Sequence, residues 1–255
     1  MKTKKAAHGI YSVVDPATPW KLPRLDWESP RYFYTKTASE WKALLQKASQ
    51  GDPEAEFNVA TLYADGCKDR RGRILVRVSS RKAVEWYRRA AEHGSVSAQN
   101  NIGVILGGSY GVRRNARQAL IWLKRAYRGG GTASNNIAIT YRESGNLPQA
   151  VRWFRIAIAA GDHGDLVQLG IHHYWGKGVR RDPAAAVRFF RKGIRKIDAS
   201  YFEREDAFFY LGIAYLEGNG VKKSLTLGRK YLELANREND HLAAQRLLKR
   251  MGRGI

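Results

Sequence analysis

A fold built only of helices, an all-α solenoid of stacked helical hairpins, is what this 255-residue chain predicts, and three observations predict it. A phrase of aliphatic, aromatic and alanine residues returns five times, with its central aromatic at Trp86, Trp122, Trp153, Phe189 and Tyr231, in steps of 36, 31, 36 and 42 residues. Ahead of each lies a second phrase: Val59-Ala60 with Tyr63, Ile102-Gly103 with Leu106, Ile137-Ala138 with Tyr141, Leu169-Gly170 with His173, and Leu211-Gly212 with Tyr215. Both phrases set apolar and small residues at i, i+3, i+4 and i+7, the spacing of a helix with one packed face. Glycines punctuate the chain between phrases, where a left-handed backbone carries no steric penalty for them.

Residues 1–38 stand apart from this pattern. Pro16, Pro19, Pro23 and Pro30 are four of the seven prolines, and they interleave with Trp20, Trp27, Tyr32, Phe33 and Tyr34. No helical or alternating period survives there, so the segment predicts an extended N-terminal arm. Its aromatics predict that the arm docks, on its own body or on a partner, because solvated linkers are poor in large apolar side chains.

Residues 39–255 form the repeat body, about five hairpins with a helix capping each end. Ser39 to Gln50 reads as an orphan second helix, and Asp240 to Met251 as a final first helix. One hairpin cannot cover its own apolar stripe, so consecutive hairpins must stack around a shared core. The small residue in each first phrase lets two helix backbones approach, which offsets a helix cost of up to about 1 kcal/mol for glycine. Turns at Tyr110-Gly111-Val112-Arg113, Lys177-Gly178-Val179-Arg180 and Asn219-Gly220-Val221-Lys222 join the halves of a hairpin. Gly94, Gly129-Gly130-Gly131 and Gly161 separate one hairpin from the next.

The runs Ala207-x3-Leu211-Gly212-x2-Tyr215-x2-Gly218-x-Gly220-Val221 and Ala83-x2-Trp86-Tyr87-x2-Ala90-Ala91-Glu92-x-Gly94 closely resemble the Sel-one-like subfamily of tetratricopeptide repeats. The resemblance covers residues 39 to 251. It implies an α/α superhelical solenoid whose first helices line a concave surface and whose second helices form the convex back. It also implies a protein-interaction scaffold without catalysis, of a kind often found in bacteria. Two units depart from the pattern. The third has Ser144-Gly145-Asn146-Leu147-Pro148 in place of the Gly-x-Gly-Val turn and resembles an ordinary tetratricopeptide hairpin, and the first carries an insertion between Gly66 and Ala83.

Composition bounds the chemistry. Lys and Arg number 45 against 23 Asp and Glu, a net charge of +22 that favours acidic partners or polyanions. The single cysteine, Cys67, closes no intrachain disulfide and supplies no structural zinc site. No stretch reaches the roughly 18 apolar residues of a membrane span. The start, Met1-Lys2-Thr3-Lys4-Lys5, has the charge of an export signal, but His8 and Asp15-Pro16 interrupt the apolar stretch after it, so the chain reads as cytoplasmic. Metalloprotease, phosphate-loop, nucleophile-elbow and paired-cysteine signatures are absent, and the reading is of a protein with no catalytic residues and no cofactor. His163, His172 and His173 read as core or surface histidines rather than metal ligands, since adjacent helical residues point about 100° apart. Cys67 reads as a plain thiol despite Lys68, Arg70 and Arg71 beside it.

Two candidate binding surfaces remain. The residue before the aliphatic position of the first phrase is Asn58, Asn101, Asn136 and Gln168 in four units, with Asn100 and Asn135 preceding two of these. A column of carboxamides along the groove would pair with the backbone of an extended peptide, since each amide both donates and accepts. The family resemblance implies such a role for Asn58, Asn101 and Asn136. The alternative is that these amides bond neighbouring helices and merely keep the groove polar.

The second surface is basic. Arg88, Lys124, Arg155 and Arg191 share one position of the second phrase, about 140° from its recurring alanine and so facing outward. Arg70, Arg71 and Arg73, together with Arg77 and Arg81, come from the insertion; Arg113, Arg114, Arg180 and Arg181 come from turns. Between residues 101 and 160, Glu143 is the one acid. Such a back could hold nucleic acid non-specifically, or it could be a solvated face. An acidic protein partner, bound as by an adaptor or an immunity-type inhibitor, is the further alternative.

Overall fold

The structure, a computed structural model, describes residues 37–108, 112–195, 201–238 and 241–252. The expected arm, apart from Thr37 and Ala38, and the Tyr110-Gly111 turn lie outside these residues. Helix α1 (Ala38–Ser49) comes first, followed by α2 (Pro53–Asp65), α3 (Ser80–Glu92), α4 (Val96–Leu106) and α5 (Ala116–Arg128). Then come α6 (Ser134–Glu143), α7 (Leu147–Ala159), α8 (Asp165–Trp175) and α9 (Pro183–Arg195). The last three are α10 (Tyr201–Glu217), α11 (Leu225–Ala235) and α12 (Leu242–Gly252). The chain divides into two compact units, with the division at Tyr141 inside α6. In the N-terminal unit α2 packs on α3 and α4 on α5; in the C-terminal unit α8 packs on α9 and α10 on α11.

Helix starts follow from side chains that satisfy the free N–H groups of the first turn. Thr37 and Glu40 form a reciprocal capping box ahead of α1. Asp52, Ser79, Ser95, Asn115, Asn146 and Ser224 each accept a bond from a first-turn amide of α2, α3, α4, α5, α7 and α11. Asp182 does the same for α9, taking the Ala185 N–H at 2.8 Å.

Packing inside a hairpin reduces to one large residue against one small one. The core residue of each second helix is the one after the recurring aromatic: Tyr87, Leu123, Phe154, Phe190 and Leu232 are buried, while Trp86, Trp122, Trp153, Phe189 and Tyr231 are half-buried. A Cβ on Gly103 would stand 2.5 Å from the Leu123 side chain, one on Gly170 2.5 Å from the Phe190 ring, and one on Gly212 2.9 Å from Leu232. The glycine is therefore the hole into which the second helix's large residue fits. The half-buried aromatics are covered from one side instead. Arg89 lies over Trp86 at 4.3 Å and Arg125 over Trp122 at 5.4 Å, each an arginine one helical turn further on.

The insertion in the first repeat is the one departure from helix among the described residues. It forms a two-stranded antiparallel hairpin, β1 (Cys67–Lys68) with β2 (Ile74–Val76). Cys67 and Val76 are buried against Leu62, with Trp41 and Leu44 of α1 packed on the cluster. Asp69 closes the loop, accepting from the Arg71 and Arg73 amides at 2.9 and 2.8 Å and from Arg73 Nε at 2.7 Å. The Arg73 side chain, with the backbone amides after it, holds the Asp69 carboxyl below its ordinary value against the opposing effect of burial.

One buried charge ties the N-terminal unit together. Glu56 on α2 has no exposed surface and accepts from Arg89 at 2.9 Å and from His93 at 2.7 Å. Both partners reach in from the α3 side, and Arg89 also touches the Ala48 carbonyl of α1 at 3.5 Å.

Candidate functional site

The first helices carry the carboxamides, and their exposure differs along the row. Asn58 on α2 is exposed; Asn100 and Asn101 on α4 and Asn135 and Asn136 on α6 are half-buried. Asn136 Nδ2 donates to Asn100 Oδ1 at 2.9 Å, so amides of successive repeats do meet. Asn101 bonds the Tyr87 hydroxyl, which also lies 3.2 Å from Thr61 Oγ1; burial raises the phenol above its ordinary value. Gln168 is placed differently. It is buried on α8, where its Oε1 accepts from Arg142 Nη1 at 2.7 Å, and it presents little to a ligand. Tyr87 and Thr61 belong to this polar file although their position in the repeat is that of core residues, and spacing alone carries no sign of them.

The basic side chains lie where solvent reaches them. Arg70, Arg71, Arg73, Arg88, Arg113, Arg114, Arg155, Arg180, Arg181 and Arg191 are exposed, and Lys124 is half-buried. Several are already engaged, among them Arg73 with Asp69, Arg181 Nε with the Tyr174 carbonyl at 3.2 Å, and Arg191 Nη2 with the Tyr215 hydroxyl at 2.8 Å. They do not gather at one point. Arg70, Arg71 and Arg73 occupy the β-hairpin tip, Arg88 lies on α3, and Arg155 and Arg191 stand on α7 and α9 of the C-terminal unit.

The histidines and the thiol have structural surroundings. His172 is buried, with Nδ1 at 2.6 Å from the Lys177 carbonyl and its ring 5.6 Å from that of Phe154. Burial, reinforced by the Arg142 charge against the opposing Lys177 carbonyl, lowers its pKa to about 4, so it is neutral at pH 7. His173 packs on Phe189 at 5.4 Å, in the position where Tyr215 stacks on Tyr231 at 5.5 Å. Cys67 is a buried residue of β1. Among the described residues no three His, Cys, Asp or Glu side chains converge as a metal ion would require. No described helix is long and apolar enough to cross a membrane.

Repeated hairpins with a glycine socket, glycine turns and paired rings define a class, the α/α solenoids, and comparison with known proteins narrows it. A family model described as Sel1 repeat matches residues 53–95, 96–131, 142–162, 166–198 and 206–240. The chain belongs to the Sel1 repeat family. Among solved structures it is similar to c5321, a protective antigen present in uropathogenic Escherichia coli strains and displaying an SLR fold, with a TM-score of 0.67 and 24% identity. That match covers 86% of this chain and 45% of the antigen chain, so this chain spans less than half of the antigen's length. A Sel1 repeat protein from Oxalobacter formigenes is similar with a TM-score of 0.60 and 24% identity, over 78% of this chain and 79% of that one. Both likenesses are of fold. Sel1 repeat proteins generally mediate protein–protein interaction and are typically non-enzymatic scaffolds.

Proposed function

We propose that this chain is a non-enzymatic scaffold or adaptor that receives an extended segment of a protein partner on the amide-bearing first helices of its N-terminal unit. The bond from Asn136 to Asn100 is the observation that supports this reading most. It aligns amides from successive repeats, and it uses one donor of Asn136 and one acceptor site of Asn100. The Asn100 amide nitrogen and the Asn136 carbonyl oxygen remain to pair with a partner's backbone. Asn58, exposed one repeat earlier, extends the same file, whereas Asn101 is committed to Tyr87 and Gln168 to Arg142.

Replacing Asn58, Asn100 and Asn136 together by alanine tests it. Each hydrogen bond contributes about 0.5–1.5 kcal/mol, so affinity for a partner captured from nuclease-treated source lysate should fall by at least tenfold. Unchanged affinity would remove the amide file from the function. A second reading, non-specific polyanion binding by the exposed arginines, draws support from the hairpin tip, where Arg70 and Arg71 project beside Arg73. It requires affinity for a duplex oligonucleotide to fall by about 10³–10⁵ between 50 and 200 mM salt if about 6 to 10 phosphates are engaged.

A further inference from the structure

Two hollows in the C-terminal unit each take an arginine and a valine from the same two repeat positions. The first, about 410 Å³, is lined by Pro148, Val151 and Ile156 of α7 and by Val179 of the following turn, with Arg152 and Arg155 beside them. The second, about 420 Å³, is lined by Val221 of the next such turn, by Leu227 and by Tyr215, with Arg191, Lys222 and Lys223. Arg155 and Arg191 hold the same repeat position, as do Val179 and Val221.

The glycine turns fix this arrangement. Gly178 sits so close to α7 that a Cβ there would lie 2.4 Å from the Leu147 backbone, and Gly220 bears the same relation to the Pro183 backbone. Each turn is thereby seated on the start of the preceding second helix, and its valine is presented at a set height beside the arginine. The arginines are held as well. Arg191 donates to the Tyr215 hydroxyl at 2.8 Å, and Arg155 faces His173, the residue in Tyr215's place, whose pKa is lowered first by burial and next by that guanidinium.

No carboxylate lines either hollow. Asp182, whose charge reaches His173, caps α9 through the Ala185 amide. An apolar wall flanked by uncompensated cations is matched by a ligand with an aliphatic or aromatic side chain next to a carboxylate. A polyphosphate backbone has charge but nothing to place against Val151, Ile156, Val179 or Leu227.

We infer that the second-helix face of the C-terminal unit is a docking surface for an acidic protein segment that alternates carboxylates with large apolar side chains, one apolar residue entering each hollow. The surface is separate from the amide-bearing helices and does not depend on their role. Two such hollows on one unit make the interaction bivalent, so the second contact forms at high effective concentration once the first is made.

The test is selection of a random peptide display library on the full chain, with binding of the enriched peptides then measured on variants. Enriched sequences should carry Asp or Glu within two residues of Leu, Ile, Phe or Trp. Their affinity should fall at least tenfold on the doubly substituted Arg155→Glu, Arg191→Glu chain and at least threefold on Leu227→Ser. The three residues are exposed, and an unchanged helical circular dichroism spectrum checks the fold of each variant. Binding should be retained when Asn58, Asn100 and Asn136 are all alanine. Failure to enrich any peptide, enrichment without the acidic–apolar pattern, or affinity indifferent to these substitutions would overturn the inference. So would polyglutamate or a 20-nucleotide single strand binding as tightly as the selected peptides, because charge alone would then account for the surface.

Discussion

The two units solve the same packing problem with different side chains. In the N-terminal unit the core is assembled from alanines, with Ala60, Ala83, Ala90, Ala91 and Ala98 around Tyr87, Ile102 and Ile105. In the C-terminal unit aromatic rings fill it: Phe190 stacks on Tyr210 at 5.1 Å, and Tyr174 meets Tyr210 at 6.1 Å. The difference teaches where specificity resides. Small residues bring helices close and leave room for a buried carboxylate, Glu56, bonded to Arg89 and His93, to fix their register. Large rings need sockets, so the C-terminal unit depends on Gly170 and on turns whose glycines lie directly against backbone.

The largest effect should come from emptying the aromatic core. Phe190→Ala removes a fully buried ring beside the Gly170 socket and should cost about 4 kcal/mol, against about 3 kcal/mol for Leu123→Ala beside Gly103. Urea unfolding of the two variants measures the gap, and equal losses would erase the contrast between the cores.

Next in size are the turns. Gly178→Ala combines a positive φ of 73° with a Cβ that would overlap the Leu147 backbone, for a loss of about 3 kcal/mol. Gly94→Ala in the N-terminal unit has a φ of 102° but open space around the new Cβ, so only the conformational strain of about 1 kcal/mol remains. Melting temperatures of the pair should separate accordingly. Glu56→Ala costs less, about 1–2 kcal/mol, because it removes the buried acceptor while Arg89 and His93, each 45% exposed, turn to water.

The last effect, spread over a range of pH, is acid sensitivity. His172 takes up its proton only near pH 4 in the folded protein, whereas an unfolded histidine does so near 6.5. Its contribution is complete above about pH 6.5 and is lost as pH falls toward 4, by at most about 1.4 kcal/mol per pH unit. Urea titrations from pH 7 to 4 should show this slope in the wild type and a shallower one in His172→Gln. Identical slopes would place the sensitivity elsewhere.

Much of the fold was legible because its determinants are local. The recurrence of Trp86, Trp122, Trp153, Phe189 and Tyr231 sets the repeat count, and Asp52 and Ser224 each cap a helix from three residues before the amide they bind. The candidate site was less legible. Asn58, Asn101, Asn136 and Gln168 share a repeat position that spacing reveals, with Asn100 one residue ahead of it, but nothing in the spacing says that Gln168 is taken by Arg142 or Asn101 by Tyr87. The recurring tryptophans also drew attention from the residues after them, which fill the core while the tryptophans lie half-exposed under arginines.

By itself the sequence determined that hairpins form, where each begins, and that the chain is strongly basic, since periodicity, capping and charge depend on neighbours a few positions away. Tertiary structure alone decided which amides stay available, that the first-repeat insertion pairs into a β-hairpin over Cys67 and Val76, and that valine and arginine from different repeats share a hollow. Those outcomes depend on side chains that meet only when one helix pair stacks on the next, and the competition among partners for each polar atom is settled at that stage of packing.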